Sequence, residues 1–216
     1  QLDGVSDSPL RTAARAGSAL LDGNVDEAMT IVGEAPGCPE GLFVRALAFA
    51  EQGQLDEAIE LLDRARQEGV PPFYPALSEE AVLLRQRGRY SEAQKALEII
   101  TKVSPRHEDA IVQGALLALD RTGADRNQME KVAPMLSKSL AAVEVPEQFP
   151  LVLAYKNLAL GRLELLSGEV DAATRTLSQA AEVLSKNQLA ATWLAAAQRQ
   201  DGNHAKALEA IAAFPD

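Results

Sequence analysis

Histidine, cysteine and paired carboxylates are the raw material of hydrolytic, redox and metal chemistry, and this chain uses them sparingly. His107 and His204 are its two histidines. Neither stands near Cys38, or near a motif serine, at a spacing that joins a nucleophile to its base. Both fall at expected helix starts, where surface capping is the natural role. Cys38, the single cysteine, sits between Gly37 and Pro39 in an expected loop. It can form no internal disulfide, which leaves an intermolecular bridge or a reactive thiol. No His-x-x-x-His spacing or cysteine cluster offers a metal site, and no Gly-rich loop follows a strand to cradle phosphate. The carboxylate pairs Asp56-Glu57 and Glu79-Glu80 fall at expected helix N-termini, where the helix dipole favours negative charge. These residues point away from an enzyme and call for no cofactor and no metal.

The elements that carry them follow from composition. The 216 residues are 47% hydrophobic and 4% aromatic, enough for a folded core. The apolar content is mostly Ala and Leu, strong helix formers, and no window shows the period-2 alternation of a strand. The chain therefore reads as all-α. Its net charge of −10 opposes nucleic acid, whose phosphates need Lys and Arg, and opposes anionic membrane surfaces; its ordinary use is solubility. No apolar run is long enough to span a bilayer, so direct membrane insertion is not expected. The first residue is Gln1 rather than Met, which suits a processed form or a piece of a longer protein. Compartment stays open, cytoplasmic or periplasmic, and the Ala/Leu-rich, Lys-poor composition has a bacterial look.

The helices repeat. In Gly88–Pro105, a Gly ends one helix, Ser91-Glu92-Ala93 starts the next, Leu97 and Ile100 share the face of Ala93, and Pro105 stops it. The same Gly-to-Ala spacing recurs at Gly23–Ala28, Gly53–Ala58, Gly168–Ala173 and Gly202–Ala207. The Ala positions step by 30, 35, 80 and 34. The step of 80 holds two periods and about a dozen further residues, so a degenerate repeat with an insertion lies between. Six helix–turn–helix repeats result. We expect helices over 9–22, 25–35, 39–52, 55–68, 75–87, 90–103, 105–121, 125–143, 147–166, 170–185, 187–200 and 203–214. Asp7 or Ser8 caps the first, with Pro9 at its first position. Asp125 and Gln128 look like a capping box, and Pro134 should kink or split its helix. The insert over 124–150 either serves a function or repacks locally.

These motifs resemble the tetratricopeptide repeat (TPR) family over most of residues 9–214. The Leu160-Gly161 and Leu194-Ala195 pairs precede their turn glycines by eight residues, as the family's first helices do, with Arg45-Ala46 and Glu80-Ala81 in the matching places. Pro105 matches the family's terminal proline, Pro71 is one residue off, and Trp193 sits two residues after the usual aromatic position. The resemblance implies a single right-handed α-solenoid over 1–216, in repeats of about 9–38, 39–73, 74–107, 108–150, 151–187 and 188–214. It further implies that the first helices line a concave groove. The family's groove positions fall here on Phe43, Leu47, Val82, Arg85, Val112, Leu116, Leu119, Tyr155, Leu158, Arg162, Leu165, Thr192 and Arg199. Such a wall suits a helix or extended peptide with one apolar face and some acid. The two-carboxylate clamp by which chaperone-binding members grip a C-terminus is absent, since Ala13 and Gly17 stand in its place.

The function this implies is a non-catalytic scaffold for a protein or peptide partner, within a multiprotein complex. The alternatives are self-assembly into homo-oligomers, or a regulatory domain of a larger, envelope-associated protein. A solenoid needs a polar cap over its last repeat, and none follows Phe214-Pro215-Asp216. We therefore expect either residues beyond 216, or another subunit on this end, or an outer face that is simply wet.

Overall fold

The computed structural model describes residues 8–33, 37–69, 74–123, 125–212 and 214. The described residues form twelve α-helices and no strand. They pair as α1 (Pro9–Leu21) and α2 (Val25–Val32), α3 (Pro39–Glu51) and α4 (Leu55–Glu68), α5 (Tyr74–Gln86) and α6 (Tyr90–Val103), α7 (Glu108–Thr122) and α8 (Arg126–Ala141), α9 (Pro150–Leu166) and α10 (Val170–Val183), and α11 (Gln188–Gln200) and α12 (His204–Ile211). The contacts gather into two compact units, residues 1–103 and 104–216.

Each pair is joined by a turn glycine at positive φ: Gly23, Gly53, Gly88, Gly123, Gly168 and Gly202. No other residue type occurs there among the described residues, because a Cβ disfavours that backbone. Glycines step by 35 from Gly53 to Gly88 and again to Gly123, then by 45 to Gly168. The fourth repeat is thus in register up to its turn, and the extra residues follow it. They go into a longer second helix, 16 residues in α8 against 14 in α4, α6 and α10, and into the linker 142–149.

Local chemistry explains the helix ends. Ser8 accepts from the Arg11 N–H, with Pro9 at the first position; Asp7 lies outside the described residues. Asp125 accepts from the Gln128 N–H at 3.1 Å. His107 caps α7, its Nδ1 accepting from the Ala110 N–H. That helix starts at Glu108 rather than 105, because Pro105 and Arg106 lie in the preceding turn. α9 likewise starts at Pro150 rather than 147, with proline again at the first position. α8 runs unbroken through Pro134. Cys38, expected in a loop, is the N-cap of α3: its Sγ accepts from the Gly41 N–H at 3.2 Å. Glu79 and Glu80 are not at a helix N-terminus but in the middle of α5, which begins at Tyr74. Pro71, one residue off the family's terminal proline, and Pro215 lie outside the described residues.

In the N-terminal unit, Ala16, Val32 and Val44 pack α1, α2 and α3 together. In the C-terminal unit one core runs through α7 to α11, with Leu116, Leu140, Leu158 and Leu177 fully enclosed. The insert joins that core through Leu136, Leu140 and Val143, and Lys156 Nζ donates to the Val143 carbonyl at 2.7 Å.

Candidate functional site

The first helices α3, α5, α7, α9 and α11 carry the thirteen residues expected on a binding wall, and the structure sorts them by exposure. In the N-terminal unit, Phe43 and Leu47 are half-buried on α3, four residues apart and so on one face. Val82 and Arg85 of α5 are buried, Arg85 at 4% exposure. In the C-terminal unit, Tyr155 is half-buried, and Thr192 and Arg199 are exposed. Leu151 lies one turn before Tyr155 on α9 and is 55% exposed.

The other six residues of this unit are interior. Val112, Leu116, Leu119, Leu158 and Leu165 belong to its core. All five are buried there, packed with residues of the neighbouring helices. Arg162 is also enclosed, at 4% exposure. Its Nη1 donates to Asp120 Oδ1 of α7 at 2.7 Å, and its guanidinium lies over the Trp193 ring of α11, 4.7 Å from the centroid. The three residues tie together three successive first helices. A desolvated guanidinium is tolerable because a carboxylate and a π face both compensate it.

The N-terminal unit holds a second feature, formed between its second helices. Asp56, Ile59, Glu60, Asp63 and Arg66 of α4 face Glu92, Lys95, Ala96 and Ile99 of α6, with Arg89 just before α6 and Glu80 of α5, around a cleft of about 660 Å³. Arg89 forks onto Glu92 at 2.8 and 2.9 Å, and this bond holds the Glu92 carboxyl below its ordinary range. Arg87 forks onto Asp56 at 2.6 and 3.2 Å. Arg66 bonds Asp63 and lies 3.5 Å from Glu80. Burial pushes the Glu80 carboxyl up, against the opposing pull of Arg66. The sequence signal for this cleft was present: Asp56, Glu60 and Asp63 recur at helical spacing. It was obscured by reading Glu79-Glu80 as an N-terminal pair.

Among the described residues, no three His, Cys, Asp or Glu side chains gather as a metal site. No helix among them is long and apolar enough to cross a membrane.

Comparison with known proteins meets the same architecture. No curated protein sequence matches this one. Among solved structures, a thermophilic TPR protein of Thermus thermophilus is similar with a TM-score of 0.62 at 21% identity, over 82% of this chain and 89% of that one. Cut9–Hcn1 of the APC/C gives 0.68 at 16% identity, over 97% of this chain but 40% of that one. Pseudomonas aeruginosa pilF gives 0.58 at 15% identity, over 96% and 92%. At these identities the likeness is one of fold. Two tetratricopeptide repeat models match the sequence itself, over residues 11–71 and 49–119. With six turn glycines at positive φ and twelve paired helices among the described residues, these matches place the chain in the tetratricopeptide repeat family.

Proposed function

We propose that this protein is a non-catalytic scaffold that holds a helix or extended peptide of a protein partner against its first helices. Repeats of this family generally mediate protein–protein interaction. The observation that carries the reading is the apolar surface left on those helices: Phe43 with Leu47 on α3, and Leu151 with Tyr155 on α9, each pair one turn apart. Such i, i+4 pairs are how a helix presents anchors to a groove ligand. Thr192 and Arg199 on α11 add polar, cationic surface, which suits an acidic residue on the partner.

The test is affinity capture from native lysate, with this chain as bait beside a variant carrying Phe43→Glu, Leu47→Glu and Tyr155→Glu. These positions are half-buried, so circular dichroism must show the variant folded. A partner held by the wild type and lost by the variant supports the reading. A partner held equally by both sinks it. Substituting Leu116, Leu158 or Arg162 would not serve, because their enclosed positions would unfold the repeat.

A second reading has its own observation. On α12, Leu208 and Ile211 are 67% and 40% exposed and three residues apart, a face that a second copy could cover. Light scattering across a concentration series decides it: a strict monomer at high concentration removes self-assembly.

A further inference from the structure

No further inference is drawn: the strongest candidate, the unpartnered face of α12 that carries Leu208 and Ile211, adds nothing to the self-assembly reading above, since nothing in the structure shows what covers it.

Discussion

The fourth and fifth repeats sit side by side in the C-terminal unit and solve the same packing problem differently. In the fifth, small residues stand where the two helices cross: Gly161, seven before the turn glycine, and Ala173, five after it. A Cβ on Gly161 would lie 2.6 Å from Leu177 Cγ, so only glycine lets α9 and α10 meet this closely. The first, second, third and sixth repeats place alanine at both positions, all of them buried. The fourth has Leu116 and Gln128 instead. Leu116 is enclosed, Gln128 is exposed, and the interior side of α8 starts at Met129. Without the small pair, α7 and α8 are filled by large side chains, and the fourth repeat leans on its neighbour through Asp120 and Arg162. The fourth repeat thus lacks the small-residue crossing of its neighbours and is joined to the fifth by a buried ion pair.

The largest effect should come from cutting that tie. Asp120→Ala leaves the Arg162 cation enclosed beside Trp193 with its carboxylate gone, an expected loss of about 3–5 kcal/mol. Urea unfolding measures it. A loss below about 1 kcal/mol would show that the fourth repeat does not depend on its neighbour.

Importing the fourth repeat's residue into the fifth comes next. Ala173→Gln forces an amide into a position with no exposed surface. Overpacking and an enclosed amide together should remove about 3 kcal/mol. Gly161→Ala is milder, because alanine favours the helix by up to about 1 kcal/mol while its methyl displaces Leu177. The net expectation is a loss of about 1–2 kcal/mol, read as a lower Tm. A neutral result would mean that α9 and α10 can part without cost, and the contrast between the repeats would fail.

How much of this was legible in the sequence follows from the same positions. The turn glycines and the alanines five residues on were readable because positive φ and a close crossing each admit few residue types. The fold, the pairing of helices and the place of the insert came from them. The wall was less legible. Leu116, Leu158 and Leu165 occupy groove positions of the family pattern, yet the pattern records which helix face a residue is on, not how far the next helix covers it. Leu116 is the clearest case, since it fills the place where four other repeats have alanine and the fifth has glycine. Arg162 escaped for a different reason. Its partners Asp120 and Trp193 lie 42 positions before it and 31 after it, and no local spacing links them. The charged cleft was less legible because Glu80's enclosure comes from Arg66 and the residues of α4 and α6 around it, and no spacing along α5 records them.

A glycine that does no packing work supplies the opposite sign. Gly114 lies within α7, and a Cβ there meets nothing within 4 Å. Gly114→Ala should therefore stabilise the C-terminal unit by about 0.5–1 kcal/mol through helix propensity alone. Together with Gly161→Ala it makes a pair of identical substitutions with opposite outcomes, and thermal unfolding of both checks whether proximity, rather than glycine as such, sets the cost.

The smallest expected effect sharpens the comparison most. If the fourth repeat has truly given up its close crossing, restoring the family's residue should do nothing for it. Gln128 is exposed, one position before the buried Met129, so Gln128→Ala removes solvated atoms and fills no contact. Ala and Gln differ little in helix propensity, and surface changes of this kind stay within about 0.5 kcal/mol. The Asp125 cap accepts from the backbone N–H of Gln128 rather than from its side chain, so that bond survives. A stabilisation above about 1 kcal/mol would mean that α8 had moved toward α7 once the larger side chain was gone. The crossing would then be a suppressed feature of this repeat rather than an abandoned one.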